Sequence, residues 1–257
     1  MADTPAPTAA PGTQTLARGL AVIRAVADGA QDLRTVVERT GLGRSTAHRL
    51  AQLLIAEGYL RGGRDGYTLG PTLIELGFQA LHGNPLPVVA RPVLEELSAQ
   101  LHDTVHLAVR DGDSVLYLDK LPGTRGAEMR SRIGHRMPLT RTGVGMALLL
   151  DSEPEWAPLY QAEAPVEADR AHAQDLDAFL TRMREYAQAG VAKDLEDNEP
   201  GIRCVAAPIR DATATITGAI SVSATRPYMP TARMRGLTTV MTKAAQRISE
   251  SLGYREP

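Results

Sequence analysis

Ser45, His48, Arg49 and Gln52 recur at steps of three, one and three, and all four side chains donate or accept hydrogen bonds. On a helix turning about 100° per residue they share one face. Ala47, Leu50, Ala51 and Leu54 follow the same steps two residues out of phase, which sets an apolar stripe nearly opposite the polar one. Such a helix packs with one side and offers base-reading groups on the other. The B-DNA major groove admits one helix, whose outward side chains reach base edges while flanking arginines and backbone amides hold phosphates. A solvated face on an ordinary three-helix bundle is the competing origin of a stripe of this kind.

Three other groupings invite chemistry. Cys204 with a histidine and Asp194 could form a thiol nucleophile set, the basis of a hydrolase or transferase reading, because a thiolate at neutral pH needs a nearby base or helix N-terminus. Against it, none of the six histidines sits in a local catalytic signature, and no Gly-x-Ser-x-Gly elbow occurs. His102 and His106 have a spacing that suits metal ligands on a helix, with Asp103 beside them, but Thr104 to Val109 alternates like a strand, so neither metal nor cofactor is expected. The run Gly41-Leu42-Gly43-Arg44-Ser45-Thr46 lacks the strand, spacing and lysine of a phosphate loop and reads as a turn.

The elements that must present the polar stripe follow from its flanks. Leu16, Leu20, Ile23 and Val26 keep one face of a first helix, expected to pack inward. Asp32 is a reasonable N-cap for a second helix of about nine residues through Leu33, Val36 and Val37 to Thr40 and Gly41. The helix from Arg44 stops at Gly58, and Tyr59 to Arg61 and Gly66 to Leu69 flank the tip Gly62-Gly63-Arg64-Asp65 as in a hairpin. That is a helix-turn-helix with a wing. Eight arginines against five acids between Gln14 and Gly70, together with the turn and the wing, favour the duplex over the solvated-face reading. Arg44, Ser45, Thr46, His48 and Arg49 are assigned to recognition, and Arg18, Arg61 and Arg64 to phosphate or minor-groove contacts.

Over all 257 residues the formal charge is −2, with 43% apolar and 4% aromatic side chains, which excludes pervasive disorder and a uniformly basic nucleic-acid binder. A single cysteine, Cys204, excludes an intramolecular disulfide and a cysteine-rich zinc site. The longest apolar stretch, Val144 to Leu150 with Gly145 allowed within it, is far short of the ~20 residues that cross a bilayer. Residues 1–13, with three prolines and no basic start or apolar core, read as a disordered tail rather than a signal peptide. A cytoplasmic chain with no membrane partner is expected.

Beyond the wing, Pro71 to Gln79 resumes a helical pattern and the turn-rich Gly83-Asn84-Pro85-Leu86-Pro87 breaks it. A helix from Arg91 to Leu101 then leads into strands at Thr104 to Arg110 and Ser114 to Lys120, joined by Asp111-Gly112-Asp113 as a hairpin. Further strands are predicted at Glu128 to Ile133, Arg203 to Arg210 and Thr215 to Ala224. Helices are predicted at Thr142 to Leu150, Ala173 to Ala189 and Thr231 to Leu252. The fold class is α+β in two domains: a winged helix-turn-helix over 14–70, a linker helix and hinge over 71–90, and a mixed α/β domain over 91–257.

The stretch from Thr40 to Leu50, Thr-Gly-Leu-Gly-Arg-Ser-Thr-Ala-His-Arg-Leu, followed by Gly66-Tyr67-Thr68-Leu69-Gly70, resembles the DNA-binding domain of IclR-type transcriptional regulators. Ala90-Arg91-Pro92, Asp103-Thr104-Val105-His106-Leu107, Tyr117-Leu118-Asp119-Lys120, Gly134 with Met137-Pro138-Leu139, Thr142-Gly143-Val144-Gly145 and Glu199 to Pro208 resemble successive landmarks of that family's effector domain. Only the tail lies outside the likeness. Gly43 and Arg44 stand where many members carry proline and lysine, which implies a looser entry to the recognition helix.

The resemblance implies a GAF-like effector-binding domain, a double-stranded operator as partner, dimers often pairing into tetramers, and either repression or activation. It further implies a ligand pocket at Met129, Gly143, Val144, Asp194, Cys204, Ser221 and Ser223. Amides at Gly143 to Gly145, if they open a helix, would meet an anion, so a small organic acid is implied as effector. The run from Glu128 to Gly134 with Met137 to Leu139 is similar to regulators of sugar-acid breakdown. From the residues alone, Cys204 equally reads as a small core residue, Ser221 and Ser223 as solvated strand positions, and Asp194 as the start of a turn. Arg130 and Arg132 alternate with Met129 and Ser131 along the predicted strand, so that one could reach an acidic ligand, but a surface role fits them at least as well and both stay outside the site. No catalytic residue is assigned, and a purely architectural DNA binder has no need of so large a second domain.

Overall fold

Glycine and aspartate caps cut the first part of the chain into short helices, and alternating apolar residues set the strands of the rest. The computed structural model describes residues 13–63, 66–82, 85–126, 129–163 and 175–256. They divide between two compact units, Met1–Asn84 and Pro85–Pro257. The first twelve residues of the expected tail, the wing-tip residues Arg64 and Asp65, the turn residues Gly83 and Asn84, Glu128, and the helix start at Ala173 lie outside the described residues.

In the first unit, α1 (Gln14–Ala27), α2 (Leu33–Thr40) and α3 (Arg44–Ala56) pack around Val22, Val26, Val36, Ala47, Leu50 and Leu60. The Asp32 carboxylate caps α2, accepting from the Thr35 N–H at 2.9 Å, and that bond holds its pKa below the ordinary value. Gly41 closes α2 at φ +66°, a left-handed conformation that glycine adopts without strain. Gly43 then caps α3 through backbone alone. β1 (Leu60–Gly63) and β2 (Gly66–Leu69) form the antiparallel wing, with Leu60 opposite Leu69 and Gly63 opposite Gly66. α4 (Pro71–His82) follows, anchored where the Thr72 hydroxyl donates to the Glu57 carbonyl at 3.0 Å.

In the second unit, α5 (Pro85–Leu101) precedes β3 (Thr104–Asp111), β4 (Ser114–Leu121) and β5 (Arg136–Pro138). α6 (Gly143–Leu148), α7 (Glu153–Ala162) and α8 (Leu176–Ala189) come next, then β6 (Ala192–Leu195), β7 (Ile202–Arg210), β8 (Ile216–Thr225) and α9 (Thr231–Ser251). The strands make one antiparallel sheet in the order β5-β4-β3-β8-β7-β6. Because successive strand residues face opposite sides, Val105, Leu107, Val205, Ile209, Ile220 and Val222 meet α5 and α9 on one face. Burying each such side chain contributes about 1.5–3 kcal/mol. The intervening residues face the side covered by α6, α7 and α8, where Ala108, Ala206 and Ala219 join Val144, Trp156 and Phe179.

Several expectations need correction. Leu16 and Leu20 do not pack inward: they are 66% and 44% exposed and line a surface groove with Leu53, while α1 buries Val22, Ala25 and Val26. α5 begins at Pro85, not Arg91, because Leu86 and Ala90 are buried against the sheet and prolines are tolerated in a first helical turn. The predicted strand ending at Ile133 is irregular over 129–133; the strand that pairs with β4 is the shorter β5. α7 and β6 were not anticipated by the hydrophobic pattern.

Candidate functional site

On α3 the two stripes separate as the period requires. Arg44, Ser45, His48, Arg49 and Gln52 are exposed, Thr46 is half-buried, and Ala47, Leu50 and Ala51 are buried. Arg18 on α1 and Arg61 on β1 are exposed as well. Arg64 lies outside the described residues. A helix held by its apolar side and open along its polar side has the geometry that groove insertion needs.

The second unit contains a cavity of about 310 Å³ on the α6 side of the sheet. Its floor is built by register. Asp194 on β6 lies opposite Cys204 on β7, which lies opposite Ser223 on β8. One row along, Ser221 on β8 lies opposite His106 on β3. All five side chains are buried and line the cavity. Gly143 and Val144, the first residues of α6, complete the wall, and Met129 closes it from the irregular segment. Every residue implied for the pocket is therefore brought to one cavity.

His106, Tyr117, Ser131, Asn198, Glu199 and Arg130 line it too, and sequence reasoning left them out. The signal for His106 was present: Val105, Leu107 and Val109 alternate with it, so once β3 is a strand its imidazole must face away from the apolar core. Its Nε2 lies 2.7 Å from the Ser131 hydroxyl and its Nδ1 3.4 Å from that of Ser221, and its ring packs 4.9 Å from that of Tyr117. Lys120 Nζ donates to the carbonyls of Met129 and Ser131, each at 2.7 Å. The segment 129–131 is thus tied to the sheet by side chains, which is why it needs no strand ladder.

Burial dominates the electrostatics. It drives the His106 pKa down to about 3, helped by the Lys120 charge, so the imidazole is neutral. Burial, with the Asp197 carboxylate beside it, raises Asp194 to about 7, although its Oδ1 accepts from the N–H groups of Glu196 and Asp197 at 3.0 and 2.8 Å. Arg182 on α8 holds that turn through Asp197 at 2.9 Å. Burial and the Asp194 charge push the Cys204 thiol well above its ordinary pKa, against the N–H groups of Asp194 and Gly143 and the Ser223 hydroxyl directed at its sulfur. A side chain at position 143 would collide with that sulfur, so glycine is required for the close approach.

These facts revise two sequence readings. Of the three amides at the start of α6, that of Gly145 is spent on the Thr142 hydroxyl at 3.1 Å, and that of Gly143 leans on Cys204. Cys204 is protonated, the opposite of what a nucleophilic thiol needs. His102 is exposed at φ +58° and His106 is engaged with two serines. Among the described residues no three metal-ligating side chains gather. The arrangement can do one thing well: present hydroxyls, a carboxyl and a neutral imidazole to a small polar molecule.

Two family models match the chain. The IclR helix-turn-helix domain matches residues 15–63, and the bacterial transcriptional regulator IclR C-terminal domain matches residues 78–250. The chain belongs to the IclR family. Among the relatives of this transcriptional regulator is the HTH-type transcriptional regulator KdgR of Escherichia coli, 30% identical over 224 residues, which are 85% of this chain and 84% of that protein. A putative transcriptional regulator from Rhodococcus sp. RHA1 is similar at 28% identity and TM-score 0.81, with 93% of this chain and 98% of that one covered. An IclR homologue from Microbacterium hydrocarbonoxydans, complexed with 4-hydroxybenzoate, shares the fold at 24% identity and TM-score 0.81 with the same coverage. No helix among the described residues of this IclR-family regulator is long and apolar enough to cross a membrane.

Proposed function

We propose that this IclR-family regulator reads a double-stranded operator with the outward face of α3, and that a small carboxylate-bearing metabolite bound in the cavity changes its operator affinity. Arg44, Ser45, Thr46, His48 and Arg49 meet base edges and adjacent phosphates, with Arg18, Arg61 and Arg64 on the backbone. The observation that carries the effector half is the row Asp194, Cys204 and Ser223: three buried polar side chains in register on adjacent strands, all opening into one cavity. Buried polar groups without a packing role mark a ligand site. Val144, in the first turn of α6 where N–H groups have no acceptor within the helix, suits the acid end of the ligand. Met129 covers it, and Ser221 with Ser223 meets its hydroxyls. The 4-hydroxybenzoate bound by the Microbacterium hydrocarbonoxydans homologue has this chemistry, an acid at one end and a hydroxyl at the other. The regulator works in the cytoplasm as a dimer or tetramer, with no cofactor and no membrane partner.

Linkage requires that whatever the effector does to operator affinity, the operator does to effector affinity. Thermal unfolding of the full chain with millimolar D-gluconate, pyruvate and 4-hydroxybenzoate tests the reading. A ligand bound to the folded state alone raises the midpoint, and the same ligand should then change a gel-shift titration on a selected operator. Acids that neither stabilise the protein nor alter the titration would remove the effector half of the proposal.

A further inference from the structure

Among the described residues that line the cavity, Arg130 is the one with a permanent positive charge. Its neighbours are fixed. Lys120 Nζ binds the carbonyls on either side of it, Met129 is buried, and the Ser131 hydroxyl is bonded to His106. The Arg130 backbone is therefore held at the cavity, while its side chain is 88% exposed and touches one partner only loosely: Nε lies 3.6 Å from Oε1 of Glu199, whose side chain is 34% exposed. An exposed pair of that length is easily exchanged.

A carboxylate entering this cavity meets Glu199, on the loop before β7, and, in the floor, Asp194, whose raised pKa leaves it part-ionised near neutral pH. The groups around it offer little compensation. His106 is neutral, and Lys120 Nζ is committed to two backbone carbonyls. An anion brought into a part-buried site against like charges binds only if a cation joins it, and a guanidinium grips a carboxylate with two parallel hydrogen bonds. We propose that Arg130 exchanges its ion pair with Glu199 for a two-pronged pair with the effector's carboxylate, and so sets the cavity's preference for acids over their uncharged analogues. The inference rests on the effector reading above and names the residue that gives it selectivity. Glu199 then acts as the resting partner, competing with the ligand for the same guanidinium.

Isothermal titration of the full chain tests this with three matched pairs: 4-hydroxybenzoate and 4-hydroxybenzamide, pyruvate and pyruvamide, D-gluconate and D-sorbitol. Wild type, Arg130→Gln, Arg130→Lys and Glu199→Gln are compared. For at least one acid the wild type should prefer the charged member, and Arg130→Gln should weaken that acid about tenfold or more without weakening its uncharged partner. Arg130→Lys should recover part of the loss, and Glu199→Gln should tighten the acid about threefold by removing its competitor. Arg130→Gln binding the acid as tightly as wild type would overturn the role of Arg130 and leave the effector reading standing. A wild type that binds none of the three acids would overturn both.

Discussion

Asp194 and Cys204 face each other as register partners across β6 and β7, and burial, reinforced by the Asp194 carboxyl, keeps the Cys204 thiol protonated. Asp194 is itself raised, to about 7, by burial and by Asp197. Two groups that an enzyme would use as anions are here held toward their neutral forms. That suits recognition of a small polar acid better than nucleophilic attack, since the floor carries less negative charge than its composition suggests.

A raised carboxyl has a stability signature. The folded state retains the Asp194 proton where the unfolded chain, at the ordinary 3.8, has lost it. The favourable contribution is complete below the unfolded value and disappears as pH rises through the folded one. Asp194→Asn, which cannot ionise, should therefore gain stability relative to wild type between pH 5 and pH 8, by about 2 kcal/mol. Urea unfolding of both proteins at the two pH values checks this. A difference that does not change with pH would mean that Asp194 is ionised throughout.

The contact between Gly143 and Cys204 is steric. A methyl group at position 143 would overlap the Cys204 sulfur, so Gly143→Ala should destabilise the second unit by about 1–3 kcal/mol. Shortening the opposing side chain should relieve it. The double variant Gly143→Ala with Cys204→Ala is expected to be more stable than the two single effects added together, a favourable coupling measurable in a double-mutant cycle. Additive losses would place the sulfur elsewhere.

Arg49 is exposed on α3, while its neighbours Leu50 and Ala51 are buried in the three-helix core. Arg49→Ala should leave the thermal midpoint within about 4 °C of wild type, since surface changes of this kind alter stability by no more than about 0.5 kcal/mol. Gel-shift affinity for a selected operator should fall by roughly tenfold, the loss expected for one base or phosphate contact. Unchanged affinity would take Arg49 off the recognition surface.

What could be read from the sequence followed from periodicity, and what could not depended on partners. The stripe on α3 was legible because buried and exposed positions there differ in both polarity and phase. The same logic failed on α1, where Leu16 and Leu20 are apolar yet exposed: the pattern shows which faces can be buried and not what they meet. Met129 to Ile133 mimics a strand by alternation, but Lys120 binds two of its carbonyls in place of a neighbouring strand, and His106 holds the Ser131 hydroxyl. β6 is four residues with Lys193 half-buried and Asp194 buried, so no hydrophobic alternation announced it. The pocket residues came from resemblance to the family, and the cavity then added His106 and Tyr117 from β3 and β4.

An effector-responsive regulator must couple its cavity to its operator-binding face. Ser221 and Ser223 belong to the cavity floor and α3 to the first unit, so Ser221→Ala with Ser223→Ala alters the ligand site without touching the groups assigned to DNA. Operator affinity should be titrated by fluorescence anisotropy for wild type and the double variant, with and without a carboxylate shown by calorimetry to bind the wild type. The wild-type affinity should shift by about 5-fold or more when the acid is bound, and the shift should vanish in the double variant at the same acid concentration while its unliganded affinity stays the same. A wild type saturated with the acid whose operator affinity does not move would contradict the coupling and leave a DNA-binding protein with an unrelated pocket.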